Sequence, residues 1–171
     1  MNLKIYTLIH VLISLAGIIS GLVVLIGLLT DKRLNNWTAL FLTTTVLTSV
    51  TGFFFPFHGF SPALAAGVIS LLVLAIAIYS RYVSKLVGPW RKIYVISALI
   101  VLYLNVFVLI VQSFQKIPAL KNIAPTQTEP SFKFTQLLVL AFFVVSTVLA
   151  AIRFKEKPVA TTQPIQPNID L

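Results

Sequence analysis

The chain has 171 residues, is 58% apolar and 10% charged, and carries a formal net charge of +9. With a mean hydropathy of +0.98, it belongs to the membrane class and not to the ordinary soluble class. It contains no cysteine, which excludes disulfides, iron–sulfur clusters, thiolate zinc sites and Cys-linked haem.

Every charged residue lies outside the uncharged runs 5–30, 34–80, 93–115 and 134–152. A helix needs about 20 mostly apolar residues to cross a bilayer core of ~30 Å. The run 34–80 exceeds one crossing and contains its own break at Pro56. The predicted fold is therefore all-α: a polytopic integral membrane protein built as a bundle of five transmembrane helices. One membrane domain covers 1–157, with spans at about 5–29, 37–55, 62–80, 91–114 and 134–152, and a polar, Pro-rich tail covers 158–171. Such a tail is predicted to be disordered. The basic residues flank apolar spans, so they read as orientation signals and contacts to anionic lipid headgroups, not as a nucleic-acid site.

Along the chain, only Lys4 precedes the first span, and its uncharged run is longer than a signal-peptide core of ~7–15 residues. It reads as a retained helix. Tyr6, His10, Ser14, Gly17 and Gly21 fall within an arc of about 80° on it. Gly17-Ile-Ile-Ser-Gly21 is a GxxxG, a spacing that lets helix backbones approach closely. Asn36 can cap the second span, with Trp37 at the interface. Thr44, Thr48 and Thr51 line up on that span, and threonine hydroxyls at such positions bond back to their own helix. Phe53-Phe-Phe-Pro-Phe-His-Gly-Phe-Ser-Pro (53–62) ends it, because Pro56 and Gly59 break the helix while Ser61 and Pro62 start the next. The third span carries a small-residue face of Ala63, Ala66, Gly67, Ser70 and Ala77. Gly67 and Ser70, like Gly17 and Gly21, are expected to serve helix packing. A basic stretch from Arg81 to Lys92 follows, interrupted by Gly88-Pro89. On the fourth span Tyr94, Ser97, Asn105 and Gln112 share an arc of about 80°, and Tyr103 points away. Asn105 falls near mid-membrane, where an unpaired amide costs several kcal/mol. It needs a partner from another helix, a water or a ligand. The 115–133 segment reads as a loop broken by Pro118, Pro125 and Pro130.

Lys4, Lys116, Lys121 and Lys133 lie on one side of this arrangement. Lys32, Arg33, Arg81, Lys85, Arg91, Lys92, Arg153, Lys155 and Lys157 lie on the other. The excess of positive charge predicts that the second side is cytoplasmic, with the N-terminus outside and the C-terminus inside. The sequon Asn36-Trp37-Thr38 then lies on the wrong side for glycosylation.

Under that topology His10, Asn105, Gln112 and Gln136 fall in the outer half and His58 in the outer turn. Together with Tyr6 they are the candidate ligand-binding residues, of an outward-opening pocket or as separately satisfied interfacial groups. No acid lies inside a span, which disfavours a proton-coupled pump. No carboxylate is placed to orient a histidine, and there is no GxSxG, which disfavours a hydrolase. No catalytic residue and no metal site other than haem is expected. Two imidazoles could ligate a haem b, or one could bond a quinone carbonyl, so His10 and His58 are candidate haem ligands. The phenylalanines of 53–60 could pack against a flat ring. The competing readings are a protein that binds a lipophilic small molecule, and an accessory subunit or homo-oligomer packed against a membrane-protein partner. The lipid bilayer is a partner in either case, and nucleic acid in neither.

The stretches Trp37-Thr-Ala-Leu-Phe, Phe53-Phe-Phe-Pro-Phe-His-Gly-Phe and Ala124-Pro-Thr-Gln resemble those of an uncharacterised group of small five-span bacterial inner-membrane proteins. The resemblance covers most of the chain and implies a multi-pass place in a bacterial inner (plasma) membrane, but no activity. Helix number and size are also similar to those of the translocator-protein family, which binds porphyrins and sterols in a five-helix bundle. That likeness is architectural: this chain has only Trp37 and Trp90 and lacks the family's Trp/Pro-rich pattern.

Overall fold

In the computed structural model, residues 2–55 and 62–155 are described, and all of their regular structure is helical. The helices are α1 (Leu3–Leu29), α2 (Asn35–Gly52), α3 (Pro62–Ile78), α4 (Pro89–Lys116), α5 (Pro118–Ile123) and α6 (Pro130–Arg153). A π-helical turn, Tyr79–Val83, prolongs α3. The predicted spans correspond to α1, α2, α3 with its π turn, α4 and α6. Four of these, Leu3–Leu29, Pro62–Val83, Pro89–Lys116 and Pro130–Arg153, are long and apolar enough to cross a membrane.

The fifth, α2, has 18 residues, or about 27 Å at 1.5 Å per residue. Asn35, Asn36 and its threonines lower its apolar content. Much of that polarity is satisfied within the helix: Thr44 Oγ1 donates to the Leu40 carbonyl at 2.7 Å and Thr51 Oγ1 to that of Leu47 at 2.6 Å. The expected loop at 115–133 is also partly helical. Pro118 occupies the first turn of α5 after the extended Ile117, where its fixed φ suits a helix start and its missing N–H costs nothing.

α4 is the central helix. It packs against α1, α3 and α6, and α2 packs chiefly on α1. Tyr94, Val95, Ala98, Leu99, Val101 and Leu102 are all buried. These positions fall within an arc of about 160°, so one broad face of this stretch is covered while Ile96 and Ile100 on the other stay exposed. Val24, Leu25 and Leu28 of α1, Phe41 and Leu42 of α2, Leu74 and Ala77 of α3, and Phe143 and Ala150 of α6 join it in one apolar cluster.

The GxxxG is used within the chain. A Cβ on Gly17 would stand 3.1 Å from Thr44 Oγ1, and one on Gly21 would stand 2.5 Å from Leu102 Cδ1 and 2.9 Å from the Phe41 ring. α1 therefore approaches α2 and α4 at these two points. On α3, Ser70 is buried while Gly67 is half-buried, with 3.6 Å of room to the Phe53 ring.

The chain reverses at two tied corners on the basic end of the bundle. Arg81 donates to Asn35 Oδ1 at 2.7 Å and lies 5.1 Å over the Tyr94 ring. The Lys155 backbone N–H donates to Asp31 Oδ1 at 2.7 Å, and Arg33 stands over the Phe154 ring. Gly88, at φ +56°, makes the left-handed step that starts α4. At the other end the α5 segment closes over α4, where Gln127 Nε2 donates to the Val111 carbonyl at 2.8 Å.

Candidate functional site

The dense core lies toward the basic end. Toward the α5 end the first four helices leave a cleft of about 440 Å³. The contact of Gly21 with Phe41 and Leu102 joins α1, α2 and α4 one turn below it. Ile18, Leu104 and Val108 give the cleft apolar walls, and its polar positions include His10, Thr48, Asn105, Gln112 and Lys116 beside several serines.

Each polar side chain is placed by its helix. Asn105 of α4 donates from Nδ2 to Thr45 Oγ1 of α2 at 3.2 Å, so the mid-helix amide has an interhelical partner and also lines the cleft. His10 of α1 meets Thr51 of α2, with Nδ1 and Oγ1 2.8 Å apart. The Thr51 hydroxyl proton is already given to the Leu47 carbonyl. With that proton so placed, Nδ1 of His10 is the donor in this bond and the neutral ring's lone pair sits on Nε2; the other tautomer reverses the two roles. The Phe55 ring packs edge-on to the imidazole, with centroids 5.0 Å apart. Thr48 Oγ1 is buried with no hydrogen-bond partner among the described residues. It is a polar atom in the cleft wall that a ligand or water would satisfy.

Of the residues expected from sequence, the cleft brings together His10, Asn105 and Gln112, along with Gly67 and Ser70. Two fall elsewhere. Tyr6 does not line the cleft but braces its rim: its hydroxyl donates to the Thr51 carbonyl at 2.5 Å and its ring packs on Phe55 at 4.9 Å. Gln136 lies on α6, and its Nε2 donates to the Phe107 carbonyl of α4 at 3.4 Å. Position along its span places Gln136 at the right depth, but α6 packs on a face of α4 outside the cleft. His58 lies outside the described residues. Lys116 is the cleft residue that the sequence reading used only as a topology marker; its place at the end of the Asn105–Gln112 helix was the available signal.

The arrangement suits binding better than bond-making chemistry. A mostly apolar cavity with a few convergent polar groups is the usual form of a small-molecule site. Asn105 and Gln112 offer amides, His10 an imidazole and Lys116 a cation, while no carboxylate is among the described lining residues. No protein-family model matches the chain, and comparison with curated proteins and with solved structures finds no match.

Proposed function

We propose that this protein is a five-span membrane protein that binds a lipophilic small molecule in the α1–α4 cleft and catalyses no reaction. The N-terminus lies outside, the C-terminus lies in the cytoplasm, and the membrane is a bacterial inner membrane, in keeping with the resemblance noted from sequence. The observation that carries the binding reading is the cleft itself: about 440 Å³ of mostly apolar space into which His10, Asn105 and Gln112 project from two helices. The apolar walls would hold the body of the ligand and the amides would orient its polar group.

A second reading rests on the His10 hydrogen bond. Holding the proton on Nδ1 turns Nε2 into an acceptor or metal ligand, as a haem b iron requires. A quinone carbonyl needs a donor instead, which the Asn105 and Gln112 amides supply better than His10 does. A third reading, as an accessory subunit or homo-oligomer, draws on the exposed apolar side chains of α6, such as Phe134, Leu137 and Leu138. The same side chains would suit a lipid-facing helix.

The test is a mass spectrum of the lipophilic material retained by the full-length protein in mild detergent, beside the Gly67→Trp variant, whose indole would occupy the cleft. A species held by the first and lost from the second is the expected result. Identical spectra would remove the ligand reading. Absence of a Soret band from the purified protein would end the haem version.

A further inference from the structure

The basic end carries a second concavity that the ligand cleft does not include. A groove of about 490 Å³ runs between α4 and α6, lined among others by Arg91, Lys92, Ile96, Thr147, Val148 and Ile152. Its two chemistries are separated along its length. Arg91 and Lys92 stand in the first turn of α4, and Ile96 follows about 7 Å deeper at 1.5 Å per residue. Ile96, Val148 and Ile152 are 44%, 54% and 70% exposed. The groove is thus an apolar channel with two cations at one end.

Three observations fix what would fill it. The Arg91 guanidinium donates to the Ala151 carbonyl of α6 at 3.4 Å, so it is tied across the groove and positioned instead of trailing into solvent. Trp90 packs edge-on to Tyr79 with centroids 5.0 Å apart, and such aromatic pairs mark the headgroup level of a bilayer. Among the described residues, no carboxylate lines the groove. Asp31, at the same end, is engaged by the Lys155 backbone N–H. The first turn of α4 holds no acidic residue either, so these two cations oppose the helix dipole unless an anion joins them.

We infer that this groove is a binding site for an anionic phospholipid, whose phosphate is held by Arg91 and Lys92 while the first part of an acyl chain lies along Ile96, Val148 and Ile152. Arg91 gives the directional contact, since a guanidinium presents a fixed fork to phosphate oxygens, and Lys92 adds a point charge. Thr147 offers a hydroxyl in the groove wall, although it already donates to the Phe143 carbonyl at 2.7 Å and would act only as an acceptor. The inference rests on the membrane reading above but is independent of the ligand cleft.

The experiment is native mass spectrometry of the full-length protein in mild detergent, titrated with phosphatidylglycerol or with phosphatidylcholine of identical acyl chains. Phosphatidylglycerol should bind more tightly. Lys92→Gln should weaken that binding about fivefold and the Arg91→Gln, Lys92→Gln pair about 25-fold, at ~1 kcal/mol for each cation near the headgroups. Lys116→Gln, at the opposite end, should leave it unchanged, as should Gly67→Trp in the cleft. Val148→Trp, which keeps both cations and fills the apolar channel, should abolish binding even if the Arg91 variant fails to fold. Equal retention of the two lipids would overturn the inference, as would an undiminished phosphatidylglycerol complex in the Lys92 and Val148 variants. Displacement of the lipid by millimolar inorganic phosphate would show a plain anion site and overturn the lipid assignment. Flotation of the protein with membranes, measured in parallel, separates failure of this site from failure of the membrane reading.

Discussion

Gly21 is the position where one atom matters most. A Cβ there would overlap Leu102 and the Phe41 ring, and overpacking of this kind costs about 1–3 kcal/mol. Gly21→Ala should lower the midpoint of thermal unfolding in detergent micelles. Gly67→Ala meets only an ordinary contact with Phe53 and gains helix propensity of up to ~1 kcal/mol, so its midpoint should hold or rise. A lower midpoint for Gly67→Ala than for Gly21→Ala would contradict the packing described for α1. Asn105 supplies a second residue-scale expectation. Its bond to Thr45 is an interhelical one, worth about 0.6–1.7 kcal/mol in a membrane bundle. Asn105→Leu should therefore destabilise by about 1 kcal/mol. Thr45→Val should cost at least as much, because it leaves an amide seeking a new partner.

Among the elements, α2 shows how a polar composition enters an apolar bundle. Thr44 and Thr51 return their hydroxyls to carbonyls of the preceding turn, and Thr45 Oγ1 accepts from Asn105 of α4, so much of the polarity that composition suggests is spent inside the bundle. The α5–α6 connection shows a different device. Glu129 stands at the N-cap position of α6 in an extended conformation, and its side chain turns back to the loop, where Oε1 accepts from the Thr126 N–H at 3.1 Å and from the Thr126 hydroxyl at 2.8 Å. Desolvation pushes its pKa up, but these donors, with the backbone N–H groups of Glu129 and Thr128, outweigh it and hold the carboxyl below its ordinary value. A carboxyl depressed in the folded state lends stability above its unfolded pKa, and that contribution is lost as the pH falls through the folded one. Amide exchange at Thr126 should hence speed up as the pH drops below the ordinary glutamate range, after correction for intrinsic rates. Glu129→Gln should remove that acid response. An unchanged acid response in the variant would place its cause elsewhere.

At the scale of the molecule, the proposed topology and the cleft make one joint expectation. Single cysteines replacing Ser84 and Thr126 in this cysteine-free chain stand at opposite ends of the bundle. Under the N-out, C-in topology, an impermeant maleimide added to intact cells should label the Thr126 position and spare the Ser84 position. The reverse pattern would invert the bundle, and labelling of both from outside would break the span count. The cleft then opens on the outer side, and the lipid groove on the cytoplasmic side.

The sequence by itself determined the long helices, because their signals are local, but not the short α5, which lies in a segment that reads as a loop. Uncharged runs set α1, α4 and α6, and Pro62, Pro89 and Pro130 begin helices where a proline's fixed φ and missing N–H are tolerated. Helix phase put His10, Asn105 and Gln112 on inward faces and position along the spans put them in the same half, and they share one cleft. Phase could not say which helix faces which. Gln136 has the same depth signature but stands on α6, and Tyr6 shares the His10 face but is spent on the Thr51 carbonyl. Nor could composition reveal that the GxxxG is consumed within the chain, or that Lys116 and the Arg91–Lys92 pair each edge a concavity. Only the tertiary structure decided these, since a cleft is a property of how far helices diverge. The contact of Gly21 with Phe41 and Leu102 draws α1, α2 and α4 together toward the basic end, and the space above it is what their divergence leaves.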